Sequence, residues 1–311
     1  MAKSHRLVSS TSTVHWGYFD AELPPVLEIN SGDTVIIETV SGGADTLPGN
    51  GYYIPPELLE IHQEVPRKMP GHILTGPISV KGAKTGQVLQ VDILDIKLRQ
   101  DWGYNFIRPL SGALPGEFHE TTKMTIKLHK NSNEGELPWG TRLPLRPFFG
   151  VMGCAPPPEW GMISSIQPRA HGGNMDNKEL IPGTTLYLPI FVNGANFSAG
   201  DGHGCQGDGE VCVTAIETAL EGSLRLTVRD DMEITLPYAE SDSHIITMAF
   251  DEDLDDAAKE ALRKMIGVIT QRTNLSKTQA YALCSLAADL RVTQIVNGNK
   301  GIHALLPKSA L

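Results

Sequence analysis

Cysteine is scarce in this chain, and the four present, Cys154, Cys205, Cys212 and Cys284, include no C-x-x-C pair. A reduced, cytoplasmic protein is expected rather than a disulfide-stapled secreted scaffold. Positive charge is also short: 26 lysines and arginines face 36 aspartates and glutamates, a net charge of −10. No basic stripe gathers anywhere, so nucleic acid is a poor partner. No run of 18 apolar residues occurs, which leaves no helical membrane span. The first residues carry positive charge without an apolar stretch behind them, so no secretory signal is expected. The G-x-S-x-G elbow, the phosphate-binding glycine-lysine loop, the H-E-x-x-H pair and the dinucleotide G-x-G-x-x-G fingerprint are all missing.

What the chain has instead is punctuation, with 31 glycines and 21 prolines among 311 residues. Short apolar runs between these breaks predict strands at residues 26–29, 34–38, 88–96, 121–128, 184–192, 210–216 and 224–228. The clearest is 88–96, where Leu89, Val91 and Ile93 alternate with Gln90, Asp92 and Leu94. The proline-rich stretch 140–169 reads as a long ordered loop or wall. Near residue 250 the period changes. Leu254, Ala258, Leu262, Met265 and Ile269 predict a helix over 251–269, and Ser276 with Gln279 forms a capping-box sequence opening a second. Short strands at 292–296 and 302–306 follow. The expectation is a mainly β fold of packed, sandwich-like sheets with an α/β C-terminal part, two helices covering the sheet. It is one unit over 1–311: mainly β to 245, with a helical part from 246 packed on it, since so short a region makes a marginal core alone.

Residues 194–217 hold the densest chemistry. Asp201, His203, Asp208, Glu210 and Glu217 are embedded in glycines, which let a backbone turn sharply and a ligand approach. Asp201 and His203 share a face if the segment is extended, so both can bind one ion. Glu210 and Glu217 fall on opposite faces of a straight strand. The competing reading is a solvated loop, or one binding calcium structurally. His72 in GHILTGP is a lone histidine with a hydrogen-bonded structural role as its rival. RAHGGNMD offers His171, Asn174 and Asp176, and His15, Trp16 and Asp20 form a polar aromatic cluster that reads as a solvated strand end. Cys154 stands beside the proline wall without an activating neighbour in sequence, where an inert buried thiol is the common outcome. Cys205 and Cys212, seven residues apart, read as packing residues.

Three stretches, HILTGPISVKGAKTGQVLQVDILDI, RAHGGNMDNKELIPG and FVNGANFSAGDGHGCQGDGEVCVTAIE, closely resemble the acetamidase/formamidase family. The likeness runs from His15-Trp16 to GIHALLPK, with Ile73 standing where many relatives carry proline and CAPPPEW as a second departure. The resemblance implies hydrolysis of formamide, acetamide or related short amides to the carboxylate and ammonia, in a homo-oligomer with a divalent metal, zinc before calcium. Carried over by position, Asp201, His203 and His72 would hold the metal. Glu217, Glu210 and Asp201 would serve catalysis, and Asn174, Asp176, His171 and Cys154 would line the substrate pocket. The alternatives are an amidase with Cys154 as nucleophile, a hydrolase of carbamates or lactams, and a non-catalytic ligand-binding β protein with a structural ion.

Overall fold

Two sheets sharing one core make up most of the structure, a computed structural model that describes residues 2–311. The larger has nine strands in the spatial order Ser4–Leu7, Asp33–Glu38, Leu220–Arg229, Val88–Leu98, Thr185–Pro189, Tyr238–Glu240, His244–Asp251, Lys300–Pro307 and Asp289–Gln294. Only its first pair is parallel. The smaller runs Gly172–Asn174, Phe148–Gly153, Phe197–His203, Ile73–Val80 and Val14–Trp16, with Leu27–Ile29 also pairing to Ile73–Val80. A separate four-stranded sheet joins Trp102–Ile107, Thr122–His129, Glu134–Glu136 and Arg142–Pro144.

The alternation in 88–96 works as expected: Leu89, Val91 and Ile93 enter the shared core, where Phe149, Met152, Phe197 and Ala199 meet them from the smaller sheet. Three helices complete the fold, α1 (Pro56–Glu64), α2 (Leu254–Arg272) and α3 (Lys277–Ala287). The last two cover the outer face of the large sheet. Strand His244–Asp251 is buried on both sides because Ile246 and Met248 point into the shared core while Ile245 and Ala249 pack under Ala257, Ala261, Met265 and Ile269 of α2. Each large apolar side chain closed off in this way contributes roughly 1.5–3 kcal/mol. Asp253 caps α2 by accepting from Asp255 N at 2.8 Å, and the capping box of α3 forms, with Ser276 N donating to Gln279 Oε1 at 2.9 Å. Among the described residues no helix is long and apolar enough to cross a membrane.

Two expectations need correction. The stretch 140–169 is not one loop: Phe148–Gly153 within it is a strand of the smaller sheet, buried at every position. A strand covered on both faces shows no alternation, and the prolines that disguised it lie outside its ends. Conversely, 210–216 is no strand but a series of turns, because Glu210 (φ 43°) and Val213 (φ 78°) adopt left-handed backbone that ends an extended run. The remaining strands shift by a few residues at their ends, and the one expected at 292–296 spans Asp289–Gln294.

The end of α2 is clamped to the sheet by charge. Glu240 accepts from Arg272, from Tyr238 Oη at 2.5 Å, and pairs with Lys308 Nζ at 2.9 Å. Burial would raise this carboxyl, but the hydrogen bonds from Arg272, Tyr238 and Lys308 prevail and hold it at about 2 against an ordinary 4.5. A depressed carboxyl stabilises the fold above its unfolded pKa, and that contribution is lost as pH falls through the folded one. Glu240→Gln should therefore lower stability by about 1–2 kcal/mol near neutral pH, after discounting for partial exposure. Urea unfolding midpoints of the two chains should converge as the pH falls from about 4.5 towards about 2.

Candidate metal and active site

Strand Phe197–His203 carries two of the expected residues to the end of the smaller sheet. Asp201 has φ 54°, a departure from extended geometry, and His203 Nε2 stands 3.2 Å from its Oδ2. Glu217 arrives by another route. Its backbone bridges His203 on one side and Tyr104 on the other, which brings its Oε1 to 3.3 Å from the same Nε2. Glu210 is delivered by the turns that replaced the expected strand, pinned by Gly209 N donating to Thr293 O at 3.1 Å, and its Oε1 lies 4.0 Å from Nε2. Asp176, at φ 51°, adds a fourth carboxylate, its Oδ1 also at 4.0 Å. Three of the four carboxylates thus sit on backbone that costs about 1 kcal/mol or more per residue, the sort of strain that clusters at working sites.

Hydrogen bonds around the cluster fix which atoms face inward. Gln206 Nε2 donates to Asp176 O at 2.7 Å, so its Oε1 is the acceptor that meets His203 Nδ1 at 2.9 Å. Nδ1 therefore carries the proton, and Nε2 is turned to the carboxylates, the arrangement in which an outer partner orients a ligating imidazole. Asn297 Nδ2 donates to Asp176 Oδ2 at 2.6 Å, and Ala215 N donates to Glu217 Oε1 at 2.9 Å. The remaining atoms, Asp176 Oδ1, His203 Nε2, Glu210 Oε2 and Glu217 Oε2, are buried without a hydrogen-bond partner. Unmet polar atoms in a buried site are costly, and Asp176 Oδ1 lies 4.0 Å from the equally unmet Nε2, a set that fits a cation.

Space is kept for one. Gly150 stands opposite Asp201, between the pairs Phe149–Gly202 and Val151–Gly200. A Cβ placed on it would lie 2.5 Å from Asp201 Oδ2, 2.7 Å from Asp176 Oδ1 and 2.9 Å from His203 Cε1. Donor atoms of Asp176, His203 and Glu210, and of Asp201, His203 and Glu217, form two groups each within 4.8 Å. One imidazole nitrogen with several carboxylate oxygens fits a divalent cation such as zinc.

The electrostatics agree with a site built for positive charge. Burial would lower His203, yet Glu217 and Asp201 raise it well above the usual histidine range. Burial raises Glu217 to about 7, His203 pulling the other way. Burial also raises Asp176 and Glu210 well above ordinary carboxyls, with neighbouring carboxylates adding to it, whereas His72 and His203 overcome burial at Asp201 and hold it low. Without a cation, a proton at His203 is what the carboxylates gather around, and the two compete for the same nitrogen.

A cavity of about 540 Å³ opens onto this cluster, lined among others by Tyr104, Phe106, His72, Asn174, Glu210 and Glu217. His72 is half-buried, with Nδ1 3.2 Å from Ser165 Oγ and Nε2 3.7 Å from Asp201 Oδ2. Asp201 also lines the cavity, while Asp176 and His203 lie behind its wall. Asp208 stays apart, paired with Lys178 at 3.0 Å. His171 and Cys154 do not line the cavity. His171 is buried edge-on to Phe19 and Trp160, where burial and then Arg169 push it down to about 3. Cys154 lies in the core between the sheets, and burial raises its thiol.

Gln206, Asn297, Tyr104 and Gly150 escaped the sequence reading. Only Gln206, three residues after His203, carried a local signal. Comparison with known proteins bears on the whole chain. The model of the acetamidase/formamidase family matches residues 3–163 and 161–310. A formamidase from Methylophilus methylotrophus is 30% identical over 205 residues, covering 48% of this chain and 49% of that relative, so the match spans about half the relative's length. The crystal structure of an acetamidase from Bacillus halodurans superposes with a TM-score of 0.84 at 36% identity, covering 97% of both chains. A protein described as a predicted acetamidase/formamidase from Thermoanaerobacter tengcongensis gives 0.86 at 28% identity, covering 99% of this chain and 97% of its own. The chain belongs to the acetamidase/formamidase family.

Proposed function

We propose that this chain hydrolyses short linear amides, formamide and acetamide among them, to the carboxylate and ammonia. The observation that carries the reading is the gathering of carboxylate oxygens of Asp201, Glu217, Asp176 and Glu210 at 3.2–4.0 Å from His203 Nε2, beside a cavity that Asp201, Glu210 and Glu217 line. Asp201 and His203, with His72 at the edge and Asp176 and Glu210 around them, would hold a divalent cation, leaving Glu217 beside it as the proton carrier. Zinc suits a set with a histidine nitrogen better than calcium, which favours six to eight oxygens. Such a cation supplies Lewis acidity to an amide carbonyl and makes water a stronger acid.

The chain's own groups supply the proton transfers. Glu217 is anchored through Oε1 by Ala215 N and keeps Oε2 unpartnered, and burial raises its carboxyl towards the range in which it both takes and gives a proton. In this mechanism Glu217 accepts a proton from water as the oxygen bonds to the carbonyl carbon. It then returns that proton to the amide nitrogen, the C–N bond breaks, and ammonia leaves. Cys154, closed in the core, gives no support to a cysteine nucleophile. The four free cysteines support a reducing, cytoplasmic setting, and a homo-oligomer is the assembly the resemblance implies.

The test is ammonia release from formamide, acetamide and propionamide before and after chelation, with zinc or calcium then restored. Turnover should vanish with the metal and return with zinc. Undiminished turnover in metal-free protein would remove the metal from the mechanism, and no release from any amide would favour a binding protein or a different substrate.

A further inference from the structure

Asn174 has an atom that neither the fold nor the cation cluster uses. It ends strand Gly172–Asn174, paired with Val151, and is 3% exposed where it lines the cavity that Asp201, Glu210 and Glu217 also line. Its Nδ2 donates to Ile166 O at 3.2 Å. A carbonyl oxygen can only accept, so the atom facing Ile166 must be the NH₂ group, and the amide cannot be turned over without setting two oxygens against each other. Oδ1 is therefore an acceptor, buried and without a partner, on a side chain that lines the cavity.

We propose that Asn174 is the positioning residue that reads the nitrogen end of the substrate, its Oδ1 accepting a hydrogen bond from an N–H of a primary carboxamide. The assignment rests on the amidase reading and deepens it by naming the residue that meets the amide nitrogen. Cation chemistry acts on the carbonyl side, and a proton from Glu217 can pass to a leaving oxygen as well as to a leaving nitrogen, so neither distinguishes an amide from an ester. A lone buried acceptor does, because an ester brings no N–H and leaves it unmet. Sites built to hydrogen-bond one substrate group reject analogues lacking it far more strongly than apolar pockets reject a missing methylene. As the reaction proceeds, the contact keeps the departing nitrogen oriented for protonation.

The experiment compares acetamide with p-nitrophenyl acetate, which shares the acyl group and has no N–H on its leaving atom, in the metal-loaded enzyme. Asn174→Leu, similar in size, should lower kcat/KM for acetamide at least tenfold while changing that for the ester less than threefold, with metal content unchanged. Asn174→Ala, which removes the acceptor without adding bulk, should show the same split between acetamide and the ester, and it carries the test if the leucine variant does not fold. Equal losses on both substrates, or no loss on acetamide, would overturn the assignment. Wild-type enzyme that releases no ammonia from any amide would overturn the amidase reading, and the assignment with it.

Discussion

His203→Ala should leave the chain without its divalent cation and lower ammonia release from acetamide by roughly a thousandfold or more. The residue supplies the nitrogen common to both groups of clustered donors, and Gln206 holds its ring so that Nε2 faces the carboxylates. Alanine removes the donor and the counter-charge together. Asp176, Asp201, Glu210 and Glu217 would then face one another with neither a cation nor an imidazolium between them, so the variant should also unfold earlier than metal-free wild type. Metal analysis of the purified protein, with ammonia assays on the same sample, checks both parts. A variant that keeps stoichiometric metal and ordinary turnover would show that the ion sits elsewhere.

Glu217→Gln separates chemistry from binding. Glutamine keeps the shape and an Oε1 that can accept from Ala215 N, and it loses the ability to take a proton. The expected result is a fall in kcat of roughly a hundredfold to ten-thousandfold, the usual worth of a general base, with KM little changed and metal retained. Loss of metal in this variant would instead make Glu217 chiefly a ligand. Normal kcat would pass the proton transfer to Glu210, whose Oε2 is likewise unpartnered.

Much of this architecture is legible in local pattern. The alternation of Leu89, Val91 and Ile93, the apolar stripe of α2 and the capping box at Ser276 are all decided within a few residues of themselves, and the structure reproduces them. Phe148–Gly153 was hidden for the opposite reason: a strand packed on both faces has no period, and its flanking prolines read as loop. Helix α1 opens on Pro55-Pro56, and its two buried residues, Leu58 and Ile61, are too few to set a period. At the site, Asp201 and His203 share one strand and were readable as a pair. Glu210 and Glu217 reach them through left-handed turns and isolated bridges that spacing alone does not reveal. Asn297 and Gly150 come from distant strands and turns and carry no metal-ligand chemistry of their own, so only the folded chain identifies them.

Gly150 makes a single position a record of the chain's history. Its φ lies outside the left-handed region, so nothing in its backbone conformation demands glycine. The demand comes from the volume where the donors meet. A descendant whose Asp201, Asp176 and His203 side chains had moved or been replaced could acquire alanine or serine there, whereas one that kept them gathered could not. Among divergent copies of this fold, the letter at position 150 should therefore sort those that retain the site from those that have lost it, before any of the ligands themselves are compared.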